Sequence, residues 1–240
     1  MPSSITHDLL EACHQTGCPV CRLEQRSLER YIENLFYASV NDIKTRERLR
    51  ASLGFCRDHA RLIMERKLGN ALGFAIIYND VITNILRGIE NDDAPQNARP
   101  LSGLLKQMPQ QVSALVQRIV YTLSPHKHCI VCQQQDKTLH NILSFLGEGL
   151  NNSDVIMALQ GSDGLCIPHL KKTFESVRDL ETGNLLLSIH REKLESLRGE
   201  LEEFIRKNDY RFKEEGFGAE GNSWQRAVNK ITGDRFGAQE

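Results

Sequence analysis

The sequence predicts an all-α protein built from two related helical units. Apolar residues recur every three or four positions along most of the chain, which is the period of an amphipathic helix, and the alternation typical of strands is absent. A pair of cysteine-containing motifs occurs twice in the chain, with the apolar phase of the helix between the motifs preserved. We therefore expect two pseudo-repeated helical units in one bundle-like assembly, followed by a C-terminal helical tail.

The repeated motifs are Cys-x2-Cys and, 34 residues later in the first copy and 33 in the second, Cys-x2-His. They use six of the seven cysteines and leave only Cys13 unassigned. Three thiolates and one imidazole are a ligand set of structural zinc sites, so each copy offers a complete Cys3His set. The eight predicted metal ligands are Cys18, Cys21, Cys56, His59, Cys129, Cys132, Cys166 and His169.

Two helices connect the motifs of the first copy. The apolar pattern predicts a helix from Cys21 to about Val40, and Asn41 or Asp42 is placed to cap a second helix that ends at Gly54. At about 1.5 Å per residue, roughly 18 residues out and 12 back return the chain close to its start. This spacing favours tetrads formed within each copy, but tetrads in which each Cys-x2-Cys meets the distant Cys-x2-His remain open. The within-copy tetrads are Cys18, Cys21, Cys56 and His59, and Cys129, Cys132, Cys166 and His169.

The predicted domain boundaries follow the repeats. Residues 1–90 form the first helical metal-binding repeat, residues 91–100 a linker rich in Asn, Asp and Pro, residues 101–208 the second repeat, and residues 209–240 a tail with a short helix. In the first repeat a long helix runs from Cys56 to about Glu90 and is broken near Gly69. In the second, we expect a helix from Ser153 to Gln160 and a continuous helix from Pro168 to Asn208.

The ligand type permits two kinds of metal centre. Cysteines three positions apart at a helix start can bind one ion, because the helix N-terminal amides favour the thiolate. Zinc at two sites is our first prediction, and an iron-sulfur cluster in the same tetrads is the alternative. Cys13 extends the first motif to a spacing known from plant-type [2Fe-2S] proteins, but Ser124 stands at the matching position of the second copy.

Four further residues have simpler interpretations. We expect Cys13 to be a partly exposed thiol, and His126 and His128 to be exposed loop histidines, although either histidine could supply an additional ligand. Trp224, the single tryptophan, is expected to anchor the tail in a groove of the bundle.

Composition limits the functional classes. Thirty basic and thirty-one acidic residues give a formal net charge of -1, so we expect no binding to nucleic acid or to an anionic membrane. No apolar run approaches the roughly 20 residues of a membrane helix, and the first residues lack a secretory signal, so we expect a cytoplasmic protein. Phosphate-binding glycine loops and nucleophile motifs are absent, which favours a non-enzymatic protein.

The chain resembles a family of uncharacterised prokaryotic proteins known only as a domain of unknown function. The similarity lies in Cys-Pro-x-Cys at Cys18, Gly-Phe-Cys-x2-His at Gly54, Gly-Leu-Cys-x-Pro-His at Gly164, and Asp-Tyr-Arg-Phe at Asp209 with the downstream Trp224. The resemblance spans nearly the full length and implies no reaction. The two complete tetrads, without a separate catalytic group, predict a metal-binding helical module, with zinc as a structural clamp, that interacts with an unidentified protein partner. The alternative is an iron-sulfur redox or sensor protein that uses the same tetrads. The oligomeric state remains open.

Overall fold

A computed structural model describes residues 4–90, 110–148, 150 and 152–234. These residues form eleven α-helices and contain no β-strand, so the all-α prediction is confirmed. The predicted linker at residues 91–100 and the predicted helical residues 101–109 lie outside the described residues. The helices are α1 (Ser4–Cys13), α2 (Pro19–Asn34), α3 (Ile43–Ala51), α4 (Arg57–Glu65), α5 (Ala71–Glu90), α6 (Gln110–Thr122), α7 (Ile130–Gly147), α8 (Ser153–Gly161), α9 (Ile167–Ser176), α10 (Leu180–Lys207) and α11 (Ser223–Thr232).

The contacts divide the chain into two compact units. One, here called the terminal unit, comprises Met1–Ser27 and Asp136–Glu240, and the other, the central unit, comprises Leu28–Gln135. The division falls inside α2 and α7. It therefore differs from the sequence prediction, which separates two consecutive repeats at residues 91–100.

The core of the terminal unit is aliphatic. Its buried side chains come from α1, the start of α2, α7, α8 and α10, and α1 packs against α8. Along α7 the buried positions follow the three-to-four spacing that the sequence predicts for an amphipathic helix. The fully buried members include Leu9, Val20, Leu146, Leu159, Leu165 and Leu186.

The core of the central unit contains a group of aromatic rings. Phe36 packs against Phe74 with ring centroids 4.8 Å apart, and Phe55 lies edge-on to Tyr78. Gly69, which separates α4 from α5 as predicted, has a φ of +80° and lies against the Phe36 ring. A Cβ atom at Gly69 would come within 2.5 Å of that ring, so both the backbone conformation and the close packing require glycine.

The helix ends agree with the predicted capping in most places. The Asp42 carboxylate accepts a hydrogen bond from the backbone N–H of Thr45 at the start of α3, and Asn152 caps α8. The predicted continuous helix to Asn208 is wrong. It is divided into α9 and α10 because Asp179 caps a new helix by accepting the N–H of Thr182 at 2.7 Å.

Among the described residues, no helix combines the length and the apolar character needed to cross a membrane.

Candidate metal sites

The first tetrad lies at the N-termini of two helices of the terminal unit. Cys18 precedes α2 and Cys21 lies in its first turn, while Cys166 is the N-cap of α9 and His169 lies in that helix's first turn. The Nδ1 atom of His169 is 3.5, 3.3 and 3.2 Å from the sulfurs of Cys18, Cys21 and Cys166, respectively. The sulfurs of Cys21 and Cys166 are 3.7 Å apart.

The second tetrad has the same arrangement in the central unit. Cys129 precedes α7 and Cys132 lies in its first turn, while Cys56 caps α4 and His59 lies in the first turn of α4. The Nδ1 atom of His59 is 3.2, 3.9 and 3.3 Å from the sulfurs of Cys56, Cys129 and Cys132, respectively. The sulfurs of Cys56 and Cys132 are 3.7 Å apart.

The structure thus gathers all eight predicted ligands, but the preferred within-copy pairing is wrong. Each Cys-x2-Cys meets the Cys-x2-His of the other copy, so that Cys18 and Cys21 join Cys166 and His169, and Cys129 and Cys132 join Cys56 and His59.

The helix lengths explain why the predicted within-copy pairing is wrong. The 16 residues of α2 continue into a five-residue π-helical segment, Leu35–Ser39, so the outward path is about 31 Å long. The nine residues of α3 cover only about 14 Å on the way back. The return path is therefore only about half as long as the outward path, and the near-closure expected from roughly 18 residues out and 12 back does not follow.

Two similar loops precede the capping cysteines, Cys56 and Cys166. Each contains a serine two positions before a glycine, and the glycine φ values are +88° at Gly54 and +69° at Gly164. The Ser52 hydroxyl donates to the Gly54 carbonyl at 2.8 Å, whereas the Ser162 hydroxyl accepts from the Gly164 N–H at 3.0 Å. These side-chain bonds hold the turn that points each cysteine at its tetrad.

Sequence reasoning missed two residues that support these loops. His190, a fully buried residue of α10, accepts the N–H of Leu165 at its Nε2 atom, 2.8 Å away, and its Nδ1 atom lies 2.7 Å from the Leu186 carbonyl. In the central unit the Tyr78 ring lies against Gly54 and edge-on to Phe55, which occupies the place of Leu165. Both residues lie on the second helix after the capping cysteine, Tyr78 on α5 and His190 on α10. Their position in an apolar helical pattern is the only signal that the sequence offers.

A carboxylate stands behind the histidine of the first tetrad. The Oε2 atom of Glu24 is 3.4 Å from the Nε2 atom of His169, and both side chains are largely buried. Such a carboxylate orients a metal-bound imidazole and raises its basicity. At the corresponding position of the second Cys-x2-Cys, the chain has Gln135, which is neutral.

The electrostatics of the first tetrad favour one ionised thiol. Burial opposes ionisation, but hydrogen bonds with Cys166, Cys21 and His169 outweigh it and hold the pKa of Cys18 well below its usual range. Burial also disfavours a charged imidazole, yet hydrogen bonds to Cys166, Cys18 and Glu24 raise the pKa of His169 to about 11. Without metal the tetrad thus resembles a thiolate–imidazolium pair, in which a metal cation would replace the protons.

The geometry of each tetrad fits one tetrahedrally coordinated metal ion. With metal–sulfur bonds of about 2.3 Å and a metal–nitrogen bond of about 2.0 Å, tetrahedral geometry requires roughly 3.8 Å between sulfurs and 3.5 Å between sulfur and nitrogen. The observed 3.7 Å sulfur separations match the first value in both sites. The sulfur–nitrogen distances of 3.2 to 3.9 Å lie on both sides of the second.

The other residues considered from the sequence lie outside the tetrads. Cys13 is 5% exposed, so the expectation of a partly exposed thiol is wrong, and burial raises its pKa to about 11. His126 and His128 are exposed as expected, and the His126 ring stacks on Tyr121. Trp224 lies on α11 and is half exposed.

Comparison with known proteins identifies the family. The sequence profile of a family of unknown function, DUF6062, matches residues 5–237. The chain belongs to this family. A relative, described as an uncharacterized 23.9 kDa protein in the xynA 3' region of Caldicellulosiruptor sp. (strain Rt8B.4), is 25% identical over 227 residues, which cover 94% of this chain and 99% of the relative. No solved structure matches the chain. The resemblance seen in the sequence is therefore confirmed.

Paired substitutions test the composition of the tetrads. In the observed arrangement, Cys21→Ser combined with Cys166→Ser damages one site twice, so the protein should keep about one metal ion per chain. Cys21→Ser combined with Cys56→Ser damages both sites and should leave almost none. Metal content per chain, measured by elemental analysis after zinc loading and gel filtration, distinguishes the two pairings. Cys13→Ser is the control that should keep both metal ions. The reverse order of the two double variants would contradict the observed pairing.

The carboxylate behind His169 gives a second prediction. Glu24→Gln should weaken zinc binding at the first tetrad by about tenfold, because the imidazole loses its anionic partner. Chelator competition in a Cys56→Ser background, which retains only the first tetrad, measures this affinity. Glu175→Gln removes an exposed carboxylate of α9 and serves as the control. Equal affinities in the two variants would show that Glu24 does not act on the site.

Proposed function

We propose that the two tetrads bind zinc as structural clamps in a helical module that interacts with a protein partner. The observation that carries the zinc assignment is the 3.7 Å separation of sulfurs in both tetrads. This separation is what one tetrahedral ion requires. In an iron-sulfur cluster the four protein ligands are divided among two or more irons, so ligand atoms on different irons are held far apart, whereas all ligand atoms of each tetrad here lie within 4.8 Å of one another.

A structural role follows from what the tetrads join. The first links residues that are 145 positions apart in the chain, Cys21 and Cys166, and the second links residues 76 positions apart, Cys56 and Cys132. Because the entropy of closing a loop rises with its length, a metal that bridges these positions contributes strongly to folding. Four protein ligands also leave no coordination position for a reacting water.

Exposed apolar side chains on α5 support the interaction with a protein. Ile82, Leu86 and Ile89 are 54%, 51% and 40% exposed and follow the three-to-four spacing of one helix face. Neighbouring exposed apolar residues of this kind are typical of surfaces that bind other proteins. The overall charge balance near neutrality supports a protein partner over a nucleic acid.

Metal analysis tests the zinc assignment. Protein purified anaerobically without chelator should contain about two zinc ions per chain and show no broad visible absorbance. Removal of zinc by a strong chelator should abolish the cooperative thermal transition, and added zinc should restore it, because metal binding is coupled to folding. Iron with acid-labile sulfide would overturn the assignment in favour of the cluster. Two zinc ions whose removal left the thermal transition unchanged would overturn the structural role.

The partner surface requires its own test. Ile82→Lys combined with Leu86→Lys should abolish a discrete cross-linked complex that the wild-type chain forms in its native cells, because two charges would have to be buried in the interface. Leu180→Lys combined with Leu187→Lys places the same charges on exposed positions of α10 and should leave the complex intact. A complex that survives in both double variants, or its absence with the wild-type chain, would contradict the proposed surface.

A further inference from the structure

A cavity of about 400 Å³ lies in the terminal unit next to the first tetrad. Its wall is formed by the residues around the start of α2, the loop between α8 and α9, and parts of α10 and α11, and it includes Cys18 and Cys166. The volume is within the usual range for small-molecule sites. Neither the predicted metal role nor the family assignment accounts for it.

Four cationic side chains line this cavity: Arg22, Lys193, Arg226 and Lys230. Arg226 forms an ion pair with Glu200, another residue of the wall, which neutralises one of the four. The carboxylates of Asp163 and Asp234 also contribute to the wall, and the Oδ2 atom of Asp163 already accepts the N–H of Gly17 at 2.6 Å. Arg22, Lys193 and Lys230 therefore remain as the cations to consider.

The three remaining cations have more hydrogen-bond donors than the surrounding protein satisfies. Lys230 is 92% buried, and its ammonium donates to the Asp163 carbonyl, which occupies only one of three donor hydrogens. The Nε–H of Arg22 is buried and makes no hydrogen bond within the described residues. Lys193 is partly exposed, lines the same cavity and has no hydrogen bond or ion pair in the described part of the chain. A buried donor without an acceptor is costly, so Lys230 and Arg22 call for a ligand that supplies acceptors.

From this donor surplus we infer that the cavity binds a small organic anion through a phosphate or carboxylate group held by Lys193, Lys230 and Arg22. An oxyanion offers several acceptor atoms in a small volume, and hydrogen bonds between charged groups are the strongest that such a site can make. The rest of the cavity would hold the non-ionic part of the molecule. This anion site is additional to the proposed zinc clamps. It assigns a second ligand to the terminal unit and uses none of the metal ligands.

Calorimetric titration of the zinc-loaded protein tests the proposal. The probes are inorganic phosphate, glycerol 3-phosphate and citrate, with glycerol as the uncharged control. We expect saturable binding of at least one anion with a Kd below about 1 mM and no binding of glycerol. A preference for glycerol 3-phosphate over citrate would indicate a phosphate ligand, and the opposite order would indicate a carboxylate.

Substitution of Lys193 locates the binding. Lys193→Gln should weaken the anion by at least about tenfold, because it removes an ammonium with no other partner. Lys171→Gln makes the same charge change on an exposed position of α9, outside the cavity, and should change the Kd by less than about twofold. Zinc content, measured on the same samples, separates loss of the anion site from loss of the metal site. The proposal is overturned if none of the three anions binds, or if both lysine variants bind as tightly as the wild type.

A second measurement avoids dependence on a single variant. With cobalt(II) in place of zinc, the ³¹P resonance of a phosphate probe bound in the cavity should broaden, because the first tetrad forms part of the cavity wall. The broadening should be lost when excess citrate displaces the probe. Binding by calorimetry without cobalt-dependent broadening would place the anion elsewhere on the protein and would contradict the proposed site.

Discussion

The structure depends on bringing three thiols and one imidazole from distant parts of the chain to the starts of two helices. In each tetrad one helix provides a cysteine just before its first residue and another cysteine in its first turn, and a second helix provides a capping cysteine and a histidine. The partial positive charge of a helix N-terminus stabilises a thiolate. Two such ends facing each other therefore make a site that is ready for a metal cation, and the remaining elements have to allow those ends to meet.

The loops before the capping cysteines position the helix N-termini in a similar way in the two units. Gly54 and Gly164 have positive φ values, and in each loop a serine hydrogen-bonds to the glycine backbone. In each unit a side chain from the second helix after the capping cysteine supports this loop: His190 accepts the N–H of Leu165, and the Tyr78 ring lies against Gly54. Different side chains thus support the same loop in the two units.

Sequence reasoning predicted the parts of this arrangement that depend on local spacing. The all-α class, the caps at Asp42 and Asn152 and the break near Gly69 follow from patterns within a few residues. The grouping of ligands depends on how far a helix extends, and an error of a few residues in α2 and α3 was enough to favour the wrong tetrads. The burial of Cys13 was missed for a related reason. It depends on the packing of α1 against α8, a contact between segments that are distant in sequence.

Identical ligand types do not make the two sites equivalent, since the surroundings of a metal control its ligands and its accessibility. The second tetrad adjoins a core that contains several aromatic rings, and Gln135 occupies the sequence position that matches Glu24 of the first. The first tetrad has the Glu24 carboxylate behind its histidine, and the cavity with its cationic side chains beside Cys18 and Cys166. A carboxylate near the imidazole strengthens metal binding, whereas neighbouring ammonium groups favour anions close to the thiolates. The first site is therefore the one at which an anionic ligand and a metal ion can influence each other, and such coupling would have to be reciprocal.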